Sequence, residues 1–240
     1  MNQENFRYKI KQDKLVAVGD LHGNWTPIVN FCESYQNFCL ISVGDFGVGF
    51  LHKIKEFHAL KHLDKWLKDS NNTLLVLRGN HDNPSYFNGK WRTDNILFLQ
   101  DYHVLTFGDK QIQCIGGGIS IDRSERILNR SWWLREEVDF RPDRVEKVDI
   151  LITHVAPTRT SISKAGTNQN VSHYHGVESM QGGDLFGDLR AEQVTVQKLS
   201  DLSECKKHYF GHYHFSSFTI DFHKNREYIG LSIDEFREIR

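Results

Sequence analysis

Five short apolar runs along this chain each lead within a few residues to a side chain able to ligate a cation. Lys14–Val18 leads to Gly19-Asp20-Leu21-His22, and residues 38–43 lead to Gly44-Asp45-Phe46-Gly47. Residues 73–77 lead to Gly79-Asn80-His81-Asp82, residues 149–153 to His154, and residues 206–210 to Gly211-His212-Tyr213-His214. Read as buried strands stopped by glycine or by a polar turn, these runs restrict the fold. Sheets of the α/β class bind ligands outside the carboxyl ends of their strands. Five loops emerging on one edge of such a sheet could therefore bring these side chains to one place.

The segments between the runs alternate with them as helices. Pro27 sits where a first helical turn tolerates a missing N–H, which opens a helix over residues 27–35. Over residues 50–68, Phe50, Ile54, Phe57, Leu60, Leu63 and Leu67 fall at helical spacing and mark the inward face. Residues 96–99, 102–107 and 111–115 are short and β-rich, with a Gly108-Asp109 turn between the last two. A triple glycine at 116–118 opens a polar stretch with Arg123, Arg126, Arg130 and Arg135 around Trp132-Trp133. Residues 158–183 are rich in Ser, Gly and Asn and read as a loop, residues 184–199 as a helix, and residues 215–220 with 227–231 as a terminal hairpin.

Composition narrows the class. A length of 240 residues, 39% hydrophobic and 25% charged, suits one soluble domain over residues 1–240. A net charge of −1 argues against a partner as acidic as long nucleic acid and against a membrane surface. No apolar run nears the roughly 20 residues a spanning helix needs. The polar start Met1-Asn2-Gln3-Glu4-Asn5 has no apolar leader, and the four cysteines form no Cys-x-x-Cys pair. Free thiols in a reducing cytoplasm are the expectation.

Seven donors stand in these clusters: Asp20, His22, Asp45, Asn80, His154, His212 and His214. All are nitrogen or oxygen donors, a set that suits two divalent transition ions better than one structural zinc. Ions held about 3.5–4 Å apart form a device for cleaving phosphate esters. Asp-x-His places both donors on one side of an extended segment, and His212 with His214 repeats that geometry. Asp45 is the natural bridging carboxylate, with Gly44 and Gly47 expected to let the backbone approach the ions. Asn80 adds a neutral oxygen, and His154 a further imidazole. The remaining histidines, among them His103, His208 and His223, read as surface residues.

The ordered set Asp-x-His, Gly-Asp, Gly-Asn-His-Asp, a strand-end His and Gly-His-x-His, from Asp20 to His214, resembles the calcineurin-like metallophosphoesterase family. The resemblance implies an α/β fold, a four-layer α/β/β/α sandwich of two mixed sheets flanked by helices. It implies that Asp20, His22 and His214 hold one ion, that Asn80, His154 and His212 hold the other, and that Asp45 bridges. Manganese would be the working metal, with iron, zinc or nickel as alternatives. A hydroxide between the ions would attack phosphorus, and His81 would act as general acid. The phosphoprotein-phosphatase branch reads Gly-Asp-x-x-Asp-Arg-Gly, whereas here Val48 stands in place of the second carboxylate and the arginine is missing. What orients His81 is thereby left open, with Asp82 or a backbone carbonyl as substitutes. Arg123 and Arg126, in a loop resembling that of a bacterial and phage-like subset, are the expected contacts to substrate phosphate. The expected substrate is a small phosphate ester or a nucleotide. The rivals are a nucleotide phosphodiesterase or nuclease of the same family and a non-catalytic module on the same fold.

Overall fold

The computed structural model describes residues 6–160 and 169–240. The first half runs β1 (Arg7–Lys9), β2 (Lys14–Val18), α1 (Thr26–Ser34), β3 (Phe38–Ser42), α2 (Lys53–Asp69), β4 (Thr73–Val76) and β5 (Ile96–Phe98). The second runs β6 (His103–Phe107), β7 (Lys110–Ile115), β8 (Ile150–Thr153), α3 (Gln169–Met180), α4 (Leu185–Ser203), β9 (Lys207–Phe210), β10 (Ser217–Asp221), β11 (Arg226–Gly230) and β12 (Phe236–Glu238).

The strands form two sheets. One has the order β12-β2-β3-β4-β5 and the other β1-β6-β7-β8-β9-β11-β10. Pairing is parallel through β2, β3, β4 and β5, and again through β7, β8, β9 and β11. Antiparallel pairs occur at β12 with β2, β6 with β7, and β10 with β11. The central strands read as unbroken apolar runs because both of their faces are buried. Leu15, Ala17, Cys39, Ile41 and Leu75 point into a core shared with Leu105, Ile112, Ile150, Ile152 and Ile229 of the other sheet. The alternate residues Val16, Val18, Leu40, Leu74 and Val76 face Ile28 of α1 and Leu60, Leu63 and Leu67 of α2. Val196 and Leu199 of α4 cover the far side of the larger sheet against Leu151. The result is helices, sheet, sheet, helices, the four-layer architecture expected.

Several local expectations differ. Only the second half of α2 follows the apolar stripe: Ile54 and Phe57 are 63% and 43% exposed, while Glu56 is fully buried. The Glu56 carboxylate accepts the Gly49 N–H at 2.7 Å and the Tyr86 hydroxyl, so polar partners rather than apolar burial fix that turn. Within the stretch read as a loop, residues 169–180 form α3, which packs on α4 and on the turn Arg123–Glu125, while residues 161–168 lie outside the described residues. Its sequence, with no clear apolar stripe, hides the helix. β12 continues past the expected terminal hairpin to pair with β2, while β5 joins the smaller sheet beside β4. His208 and His103 are buried, not on the surface. The four cysteines are free and buried. No helix among the described residues is long and apolar enough to cross a membrane.

Candidate metal centre

The five expected strand ends open at one edge, where the two sheets meet. β2, β3 and β4 of the smaller sheet deliver Asp20 with His22, Asp45, and Asn80 with His81. β8 and β9 of the larger sheet deliver His154, and His212 with His214. The backbone at these turns is unusual. His22, Asp45, His212 and His214 all have positive φ, at 47°, 45°, 70° and 59°. Non-glycine residues adopt that region at a cost, and such residues cluster at functional sites.

The side chains converge. His22 Nε2 and His214 Nε2 lie 2.9 Å apart, and His214 Nε2 is 3.4 Å from Asp20 Oδ2. His154 Nε2 lies 3.0 Å from Asn80 Oδ1 and 3.4 Å from Asp45 Oδ2. The ring of His212 packs edge-on against that of His154, centroids 4.9 Å apart. Three groups have ligand atoms within 4.8 Å of one another: Asp20, His22 and His214; Asp45, His154 and His212; and, between them, His22, Asp45 and His81. Asp45 therefore stands where the two outer groups meet. All seven expected donors are brought together.

The donors fit divalent cations. Asp20 is fully buried, and its Oδ1 has no hydrogen-bond partner, a costly state for a carboxylate oxygen unless a cation faces it. Burial alone would raise Asp45, but the imidazoles of His154, His81 and His22 hold it well below the usual carboxylate range. Burial and the neighbouring His154 keep His212 well below the usual imidazole range, and thus neutral. An anionic carboxylate and a neutral imidazole are the ligating forms; His154, which burial would lower but Asp45 and Asp20 push up to about 9, must give up a proton to bind a cation. The His154 Nδ1–H donates to the Val43 carbonyl at 3.0 Å, which turns Nε2 inward.

A polar scaffold behind the donors aims them. Asn80 Nδ2 donates to Ser120 Oγ at 2.9 Å, and Ser120 Oγ donates to Glu136 Oε2 at 2.7 Å. This chain points Asn80 Oδ1 into the centre. Asp82 accepts the N–H groups of Gly47 at 2.7 Å, Gly79 at 2.9 Å, Val48 at 3.1 Å and Phe46 at 3.2 Å. It binds the Asp45 loop to the Asn80 loop and is spent there, so it does not orient the His81 ring. Buried Glu192 anchors the glycine-rich loop through Ile119 N–H at 3.0 Å and Val138 N–H at 3.2 Å. Glu136 and Glu192 had no sequence signal, because they lie far from any motif and act through chain partners distant in sequence. Gly44 and Gly47 have a different reason from the one expected. A Cβ on Gly44 would lie 2.2 Å from His154 Nδ1, and one on Gly47 would lie 2.1 Å from the Gly23 nitrogen. These glycines make room for protein atoms.

His81 lies beside the centre, its Nε2 3.8 Å from Asp45 Oδ2 and its N–H donating to Asp45 Oδ1 at 2.9 Å. Its ring also meets Arg126: Nη1 donates to Nδ1, and Nη2 lies 3.4 Å from Nε2. Burial, with help from Arg126, lowers the imidazole pKa against the pull of Asp45. Arg126 also donates to the Ser131 carbonyl at 2.9 Å and pairs with Asp122. Arg123 is committed elsewhere. It forks onto Glu178 of α3 with two contacts of 2.8 Å and reaches Asp188 of α4. Those carboxylates occupy the guanidinium expected to meet a phosphate. His173 is exposed, 3.7 Å from Glu125.

A family model described as calcineurin-like phosphoesterase matches residues 14–215. Among solved structures, phosphopantetheinyl hydrolase from Mycobacterium tuberculosis aligns with a TM-score of 0.51 at 12% identity, over 96% of this chain and 96% of that chain. A mutant of a cold-active protein tyrosine phosphatase aligns at 13% identity with a TM-score of 0.34, over 96% of this chain and 74% of that one. The first is a likeness of fold, and the second is too loose to argue from. No curated protein matches the sequence.

Proposed function

From the premise that this chain belongs to the calcineurin-like phosphoesterase family, we propose that it hydrolyses a phosphomonoester or phosphodiester at a centre of two divalent metal ions. The observation that carries the reading is the convergence of donors on Asp45, with the unpartnered, buried Asp20 Oδ1 beside them. Asp20, His22 and His214 would hold one ion, Asn80, His154 and His212 the other, and Asp45 would bridge. Manganese is the working metal in this reading, with iron, zinc or nickel as alternatives. When bound, such a pair lowers the pKa of a water towards neutrality and neutralises charge building on the phosphoryl oxygens.

The chain's own residues supply the rest. With Arg126 donating to His81 Nδ1, the ring proton sits on Nε2, the nitrogen nearer Asp45. An arriving phosphate competes with His81 for the Arg126 guanidinium, since charge-assisted forks onto phosphate are stronger than a contact to neutral imidazole. Drawing Arg126 away frees Nδ1 to take up a proton, and the substrate's negative charge favours the imidazolium. His81 is then charged as a general acid only when substrate is present, and it delivers the Nε2 proton to the departing alkoxide. Arg126 is the phosphate contact in this reading. Arg123 serves it at one remove, by tying the Arg126 loop to α3 and α4.

The test is turnover of p-nitrophenyl phosphate and its bis ester by chelator-treated protein, with and without added Mn²⁺. Manganese-dependent release of nitrophenol is expected. Metal-loaded protein that turns over neither ester nor any of a panel of nucleotides would point to the non-catalytic module instead.

A further inference from the structure

An exposed apolar stretch leads from the candidate metal centre into the first turns of α2. The ring of Phe50 lies 6.1 Å from that of His81, tilted by 45°. Phe50 is 43% exposed, Leu51 47% and Ile54 63%, with Phe57 one turn further on at 43%. Phe50 and Leu51 lie in the segment that leads into α2, and Ile54 and Phe57 share a face of its first turns; exposed apolar side chains gathered in one short stretch mark a binding surface. Its exposure is imposed by the structure. Immediately before Phe50, the Gly49 N–H is held by buried Glu56 at 2.7 Å, and the Val48 carbonyl accepts the Asn83 N–H at 2.9 Å. Gly49 has φ +101°, and a Cβ there would sit 2.4 Å from Asn83 Cβ. The loop cannot fold Phe50 inward without breaking these contacts.

Resting on the phosphoesterase reading and on His81 as its proton donor, the geometry points to Phe50 as a specificity-determining residue that seats an apolar leaving group of the substrate. The proton donor must touch the leaving-group oxygen, so whatever is attached to that oxygen lies beside His81. The exposed apolar side chain there is Phe50, followed along the chain by Leu51 and Ile54. The substrate class is accordingly a phosphate ester of an apolar alcohol, an alkyl chain or aryl ring, in preference to a sugar or a polar peptide.

The experiment is the Mn²⁺-dependent hydrolysis of ethyl, butyl and hexyl phosphate, below any concentration at which they associate. Their leaving groups have nearly the same acidity, so differences report contact with the alkyl chain. For the unaltered protein, kcat/KM is expected to rise about two- to fourfold per methylene, the value for burying a CH₂ partly to fully. Phe50→Ala is expected to flatten that slope, and Phe50→Leu to keep part of it. Metal content and thermal melting of both variants check that the loop and centre persist, and Ile54→Ser, on the exposed face of α2, gives a second, milder test of the slope at hexyl phosphate. Equal kcat/KM for all three esters would overturn the inference while leaving the phosphoesterase reading standing. A slope that survives in Phe50→Ala would overturn it too. Equal rates together with a dimer that Ile54→Ser dissociates would assign the stripe to a second copy of the chain. No turnover of any ester would remove the reading beneath it.

Discussion

Ser120 makes a sharp test of how the centre is aimed. It is 1% exposed, as is Asn80, and Glu136 is 3% exposed. Ser120→Ala removes the acceptor of Asn80 Nδ2 and the donor to Glu136 Oε2. Both partners are left in places water does not reach, at about 1–3 kcal/mol each. A combined loss near 3 kcal/mol allows for some relaxation. For a chain of this size each kcal/mol moves the melting point by about 2–4 °C, so a fall of about 6–12 °C is expected. The second consequence is specific to the centre. Freed from Ser120, the Asn80 amide can turn and present nitrogen where oxygen now faces His154. Losing such an outer partner typically weakens metal binding about 10–100-fold. Differential scanning calorimetry of the metal-free protein and calorimetric titration with Mn²⁺ read the two effects separately. A lower melting point with unaltered Mn²⁺ affinity would make Ser120 a packing residue only. An unchanged melting point and affinity would refute the whole chain of contacts.

Three further outcomes are expected. His81→Ala should keep its metal but lose about 10²–10⁴ in turnover of alkyl esters, which need a proton donor, and far less on p-nitrophenyl esters, which do not; equal losses on both, measured as kcat, would assign the proton to another group. Gly44→Ala should drive a Cβ into the His154 ring at a position whose φ of +114° already disfavours a side chain, costing about 3 kcal/mol or more; a melting curve and Mn²⁺ affinity like those of the unaltered protein would contradict that. His208, whose ring burial lowers to about 3 from 6.5, stays neutral in the fold while the unfolded chain takes up its proton below about 6.5. Its contribution is therefore intact above pH 6.5 and lost at about 1.4 kcal/mol per pH unit as pH falls towards 3. Denaturant titrations from pH 7 to 4 should show this slope, and it should be shallower in His208→Gln.

The convergence of these side chains was legible because each sits beside a strand end, so local sequence carried their position. The strands were legible because β2, β3 and β4 are apolar on both faces. Where long-range polar contacts decide the structure, sequence reading went astray. The inward face of α2 was misjudged at Glu56 because Tyr86 and the Gly49 N–H, both outside the helix, stabilise a carboxylate there. His208 can be buried because Thr153 Oγ1 at 2.8 Å and Ser200 Oγ at 3.1 Å satisfy both ring nitrogens, and both partners come from other elements, β8 and α4. Arg123 and Arg126 looked alike in a loop of arginines, and both pair with carboxylates; they differ in that Arg126 reaches His81 while Arg123 reaches α3 and α4, and α3 itself lies in a stretch whose composition reads as loop.

The origin of the donors ties the centre to the packing of the two sheets. Every oxygen donor, from Asp20, Asp45 and Asn80, comes from the smaller sheet, and the imidazoles of His154, His212 and His214 come from the larger one. Only His22 crosses that division. Each of the two outer groups, Asp20 with His22 and His214, and Asp45 with His154 and His212, draws its ligands from both sheets, and such ions take several nitrogen and oxygen ligands at fixed geometry. The spacing of the two halves is set by the shared core of Ala17, Ile41, Leu75, Ile112 and Ile152, whose side chains fill the gap between the sheets. Interiors packed to crystal density transmit a lost methylene instead of absorbing it. A cavity at Ile41 or Ile152, a few residues below Asp45 and His154, would shift one half of the donor set against the other. In this architecture the core between the sheets therefore helps to position the candidate metal centre, although none of its side chains belongs to it.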